Sequence, residues 1–166
     1  MQLYMKRNGF WASISIFMVL ACNSTKSTTG NLSEADIASM VNAKDFAFRA
    51  SQMLPSGGRS RMLNESYLFT VKPQEVVADL PYAGRAFTTT PGSSDGGMRF
   101  TSRDFSYQQA TGKKNGWVIT INPKDQNDIR ECLLTVYANG NADLSITSNS
   151  RQLIRYSGYL QANILK

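Results

Sequence analysis

Between residues 32 and 160 the chain alternates short apolar runs with polar turns, and the spacing of the apolar positions changes once. Over Leu32–Ala43, Ile37, Met40 and Val41 fall three and four apart, which predicts a short helix with one apolar stripe. Ser33 stands where an N-cap belongs, with Asp36 three residues on in the place of the usual Glu or Gln. The stripe reads as core contact rather than a binding surface.

From Asp45 onward the period becomes two, the repeat of strands with one buried face. Phe46, Phe48 and Ala50 alternate with Asp45, Ala47 and Arg49. Pro55-Ser56-Gly57-Gly58 then predicts a loop lasting to about Asn64. Tyr67–Val71 and Val76–Leu80, joined by Lys72-Pro73-Gln74-Glu75, predict a hairpin. Met98–Thr101, Phe105–Gln109, Trp117–Ile121, Cys132–Tyr137, Ala142–Thr147 and Leu153–Leu160 continue the series. Asn115-Gly116 and Asn139-Gly140 mark hairpin turns, because Asn and Gly both tolerate the positive φ that a type I′ turn needs. Eight to ten short strands with short links and no crossover helix predict a mainly β, antiparallel meander. Left open, it would expose two pairing edges, so it is expected to close into a barrel or a strongly curved sheet, with the one short N-terminal helix packed on it or capping an end.

The first thirty residues follow other rules. Lys6-Arg7 precede an apolar run, Phe10–Leu20, of eleven residues. That is too short for a bilayer core, which takes roughly 20 helical residues, but it suits an export signal. Met5 is as good a start as Met1. The ending Val19-Leu20-Ala21-Cys22 resembles the lipobox of bacterial lipoproteins, with Leu20 departing from the usual small residue. The resemblance implies cleavage before Cys22 and its acylation, several chains giving a stable hold on the membrane where one would not. The expected organisation is then a signal peptide over 1–21, a lipidated polar tether over 22–31 and one β-rich domain over 32–166. A non-acidic Asn23, with no acidic run after it, implies by the same resemblance the outer membrane and a periplasm-facing position in the cell envelope.

Charge adds little to this. The net charge is +6, and without Lys6 and Arg7 it falls to +4. The basic residues are scattered apart from Lys113-Lys114 and Arg59 with Arg61, unlike the clustered face of a nucleic-acid protein, so no nucleic-acid partner is expected. Anionic lipid or lipopolysaccharide phosphate remains an alternative to a merely solvated basic surface.

Candidate chemistry is mostly removed by composition. The chain has no His, so Ser-His-Asp and Cys-His catalysis and the commonest zinc ligand are missing. Cys132, inside an apolar run, reads as a small buried hydrophobe. Thr111-Gly112-Lys113-Lys114 lacks the upstream glycine and the Lys-Ser/Thr ending of a phosphate loop. Asp125, Asn127 and Asp128 lack the central Gly and final Glu of a calcium loop and read as a polar turn. No metal, no cofactor and no enzymatic activity are expected.

Several short motifs resemble a Bacteroidetes lipoprotein family catalogued as domain of unknown function 4251. They are Lys44-Asp45-Phe46-Ala47-Phe48, Leu80-Pro81-Tyr82-Ala83-Gly84-Arg85-Ala86, Gly96-Gly97-Met98-Arg99-Phe100, Asn139-Gly140 followed by Ala142, and Arg151 with Ile154 and Tyr156-Ser157-Gly158. The resemblance implies a compact antiparallel β domain of lipocalin-like topology and no particular activity. Tyr82, Arg85, Arg151 and Tyr156 are the candidate contacts for a ligand or partner, because Tyr and Arg combine area with hydrogen bonding. The alternative is that these four only tie strand ends together. Two functions follow: a non-catalytic module binding a small, partly apolar ligand in the barrel, or an interaction protein docking on an envelope complex or hydrolase. The filling of the barrel interior separates them.

Overall fold

The computed structural model describes residues 32–87, 96–113 and 115–163. Cys22, the export segment, the tether and Lys114 lie outside them.

Helix α1 (Glu34–Ala43) starts as its cap predicts: the Ser33 hydroxyl accepts from the Asp36 N–H, and the Asp36 carboxylate accepts from the Ser33 N–H. It ends at Lys44, which takes a left-handed conformation (φ 53°) and donates its N–H to the Val41 carbonyl. Ile37 and Val41 are fully buried on the apolar stripe.

Nine strands follow: β1 (Phe46–Pro55), β2 (Arg61–Lys72), β3 (Glu75–Leu80), β4 (Met98–Ser102), β5 (Phe105–Thr111), β6 (Trp117–Pro123), β7 (Ile129–Val136), β8 (Asn141–Ser148) and β9 (Ile154–Gln161). They form one antiparallel sheet in the order β4-β3-β2-β1-β9-β8-β7-β6-β5. Neighbours alternate in direction, so the two edge strands of this nine-stranded sheet, β4 and β5, point the same way. They are also consecutive, separated by Arg103-Asp104 alone. The chain therefore passes from one sheet edge to the other through a two-residue corner, and the sheet curls into a nearly closed barrel. The expected mainly β meander with one helix is what forms among the described residues.

Three local expectations change. The loop predicted from Pro55 to Asn64 shrinks to 56–60, because β1 and β2 extend beyond the core as a hairpin. There most of Arg61–Ser66 is exposed, so no alternation announces the strand. The type I′ turn at Asn139-Gly140 is not formed. Only Gly140 has positive φ (84°), and its N–H donates to the Tyr137 carbonyl at 2.9 Å, the pattern of a type I turn closed by a left-handed glycine. In the other Asn-Gly pair the left-handed residue is Asn115 (φ 56°), not the glycine.

Inward side chains fill the barrel. Phe46, Phe48, Phe69, Leu80, Ile119, Ile121, Leu134, Leu144, Ile146 and Tyr156 are each under 2% exposed. A bulge at Ser51 in β1 lets Met53 turn inward after Ala50. Cys132 is wholly buried, and burial pushes its thiol up to about 12. It behaves as a small hydrophobe.

Candidate functional site

The four candidate contact residues meet at one end of the barrel, where the chain leaving β3 crosses to the β8–β9 loop. Tyr156 on β9 is buried and donates its hydroxyl to the Pro81 carbonyl at 2.6 Å. The half-buried Tyr82 points its hydroxyl at the Arg85 and Gln152 carbonyls, at 3.0 and 3.3 Å. The Arg151 guanidinium stacks over the Tyr82 ring, 5.3 Å from its centre, and donates to the Gly97 carbonyl at 2.7 Å. Main-chain bonds from Gln152 to Arg85 and from Phe87 to Ser150 complete the join. Burial raises the Tyr82 phenol despite the hydrogen bond at Gln152 and the nearby Arg151, and burial likewise raises Tyr156. Both stay neutral donors.

The motif's glycine is explained here. A Cβ on Gly84 would stand 2.5 Å from the Tyr82 hydroxyl oxygen, so only glycine lets that ring fold back. Within this network the side chains of Arg85 and Phe87 are exposed, and no hydrogen-bond partner of the Arg85 guanidinium is seen among the described residues.

The acids of the polar turn are occupied as well. Asp125 accepts from the Ser102 hydroxyl and from the Arg103 and Asp104 N–H groups, and these bonds, led by that from Ser102, hold its carboxyl below the ordinary value. Asp128 accepts from the Ser148 hydroxyl and the Ser150 N–H. Burial pushes Asp128 up, but the hydrogen bonds outweigh it and leave the carboxyl lowered. Among the described residues no group of three metal-ligating side chains forms.

One open pocket, of about 500 Å³, lies at the corner of the barrel. Phe105 and Tyr107 on β5 form one wall, the Pro73-Gln74 turn faces them, and Lys44 and the Arg103-Asp104 corner flank it. The Lys44 ammonium sits 4.7 Å from the centre of the Tyr107 ring. Burial pushes the Tyr107 phenol up to about 12, so it too is a neutral group. The Arg103 guanidinium binds Glu75 at 2.9 Å, and Lys124 lies 3.7 Å from Asp104. A second, smaller depression of about 340 Å³ lies between Leu54, Leu133, Thr135, Ser145, Arg155 and Ser157.

The pocket residues were not singled out from sequence. Phe105 and Tyr107 read only as strand residues, and Lys44 only as part of a family-like motif. What brings them together is the pairing order of distant strands, which no local pattern encodes.

A curled nine-stranded antiparallel meander with one helix, a polar loop tie at one end and a corner pocket defines a mainly β, nearly closed barrel-like fold. Residues 29–160 match the family described as Domain of unknown function (DUF4251), and the chain belongs to that family. Its fold is similar to the crystal structure of a DUF4251 family protein from Bacteroides eggerthii DSM 20697, with a TM-score of 0.56 and 18% identity over 78% of this chain and 87% of that one. No curated protein matches the chain.

Proposed function

We propose that the chain is a lipid-anchored, non-catalytic envelope protein that works by docking another protein on its outer surface. The carrying observation is the filled interior: three phenylalanines, a tyrosine and the aliphatic side chains between them occupy the barrel axis at under 2% exposure. A small-ligand binder of this architecture keeps a cavity there, since buried sites hold drug-sized ligands in several hundred Å³ of space. The two depressions described above open to solvent, the first at the corner beside the core-packed Phe105 and Tyr107 and the second between Leu133, Ser145 and Arg155. The absence of His from the chain and the raised, buried Cys132 thiol support the non-catalytic part. Val19-Leu20-Ala21-Cys22 supports the anchor.

The test is native mass spectrometry of the protein taken from its own envelope in mild detergent, with photo-crosslinking from outward-facing sheet positions in intact cells. Stoichiometric crosslinked partners and no retained small molecule are expected. A small molecule held at one per chain would return the reading to a ligand-binding barrel.

A further inference from the structure

The two edges of the sheet are treated differently. Along β4 and the residues flanking it, three of the groups pointing away from β3 are covered by side chains. Gly97 C=O accepts from Arg151, Thr101 C=O accepts from the Gln126 amide, and Arg103 N–H donates to Asp125. These residues are two or four apart, as one edge of an antiparallel strand requires.

In β5 the same parity can be read. Asp104 C=O accepts from Lys124 N–H, and Gly112 N–H donates to Gly116 C=O, both across the β5–β6 pair. The register between them is unbroken, and Phe105 faces Pro123, which has no N–H to give. Hydrogen-bonded pairs alternate, so Ser106, Gln108 and Ala110 bond to β6. Phe105, Tyr107, Gln109 and Thr111 turn their N–H and C=O groups away from the sheet. No main-chain or side-chain partner for these groups is seen among the described residues.

Such an edge is ordinarily guarded by charge, proline or a covering segment. Phe-Ser-Tyr-Gln-Gln-Ala-Thr has neither charge nor proline, and the end of α1 reaches it through side chains of β5 alone: the Tyr107 hydroxyl donates to the Val41 carbonyl at 3.4 Å and the Gln109 amide to the Asn42 side chain at 3.2 Å. Its first two outward residues, Phe105 and Tyr107, form the wall of the 500 Å³ corner pocket, with Pro73-Gln74 opposite. A row of main-chain donors and acceptors at strand spacing, beside a slot, fits an extended polypeptide. Lys44 adds a sign to this. Its ammonium rests on the Tyr107 ring, and no carboxylate pairs with it among the described residues, while Arg103 is matched by Glu75 and Asp104 lies near Lys124.

We infer that the free edge of β5 and the corner pocket beside it receive an extended acidic segment of a partner protein, which pairs as an added strand and sets a carboxylate on Lys44. This rests on the docking reading above and gives it a place and a chemistry. Main-chain bonds to Phe105, Tyr107 and Gln109 supply affinity, and the carboxylate at Lys44 fixes the position along the strand.

The probes are short fluorescent peptides of alternating Val and Thr that carry one Glu, Gln or Lys, titrated into the full chain in detergent. Hydrogen exchange of the segment spanning β5 is followed alongside. The Glu peptide is expected to bind roughly tenfold more tightly than the Lys peptide, and Lys44→Glu to reverse that order. Binding should slow exchange in β5. Gln109→Pro should abolish binding that Gln109→Ala keeps, at a thermal stability close to that of Gln109→Ala, because both lose the side-chain bond to Asn42 and only proline removes the edge N–H, which bonds nothing in the fold. Equal binding of all three peptides, no binding up to millimolar, or binding without protection of β5 each overturns the proposal. So does a dimer in sedimentation that Gln109→Pro dissolves, which would assign the edge to a second copy. If the peptides fail while crosslinks to a partner persist from another face, docking stands and only this location falls.

Discussion

At the level of single residues, the Tyr82–Arg151 network ties the candidate contact residues to main-chain carbonyls of their own chain. Tyr156 is wholly buried with its hydroxyl on the Pro81 carbonyl, so its chemistry is turned inward. Tyr156→Phe keeps the ring but leaves that carbonyl without its partner, and is expected to lower stability by about 1–2 kcal/mol in denaturant unfolding. Gly84→Ala should cost a comparable amount or more, because the new methyl meets the Tyr82 hydroxyl within 2.5 Å and the ring must move. Arg85→Ala, with an exposed side chain, should change stability by no more than about 0.5 kcal/mol. The same three variants separate the two roles weighed for these residues. A partner lost in Arg85→Ala at unchanged stability would give this end of the barrel a contact function after all. Tyr82, Arg85, Arg151 and Tyr156, singled out in sequence as candidate contacts, fall in one network. The sequence did not show the direction of their hydroxyls, which depends on main-chain carbonyls brought near by the β8–β9 loop.

At the level of elements, helix α1 and most strands were legible because each carries its own signal. Ser33 and Asp36 announce the start of the helix, and Ser33→Ala should cost about 1 kcal/mol through loss of the cap. The strands missed in part were those whose ends leave the core. Residues Arg61–Ser66 have no buried face to enforce alternation, so their sequence is free and uninformative. Turn geometry was misread for a related reason. Asn-Gly is compatible with two turns, and the sheet's register at Tyr137 and Asn141 selects the one with a single left-handed residue. The β6–β7 loop is fixed by carboxylates, which gives it a pH dependence of known sign. Asp125 and Asp128 are held below the ordinary 3.8 in the folded chain. The stability they contribute is therefore fully present above that value and is lost as pH falls through the lower folded values. Thermal unfolding followed from pH 6 downward should show this acid loss, and Asp128→Asn should flatten it.

At the level of the whole molecule, closure of the barrel is a property that no stretch of sequence carries. The meander predicts antiparallel neighbours, and those neighbours form. That β4 and β5 end up as opposite edges joined by Arg103-Asp104 follows only once β1 has paired with β9, more than one hundred residues away along the chain. This arrangement predicts a gradient of protection. Strands β1, β9 and β8 are paired on both sides and bury Phe46, Phe48, Leu144 and Tyr156, so their amides should exchange only through global opening. In β5 the pattern should alternate residue by residue. Ser106, Gln108 and Ala110, bonded to β6, should be slow, and Phe105, Tyr107, Gln109 and Thr111 should exchange near the rate of an open strand. Just past β4 the Arg103 amide, bonded to Asp125 at 2.8 Å, should be protected although it too lies on an edge, and Asp125→Ala should release it. Residue-resolved hydrogen exchange by NMR reads all of these in one experiment. Uniform slow exchange through β5 would mean that its outer edge is already covered, and uniform fast exchange would mean that the β5–β6 pair opens on its own. Alternation alone fits a barrel with one guarded edge and one left free for another chain.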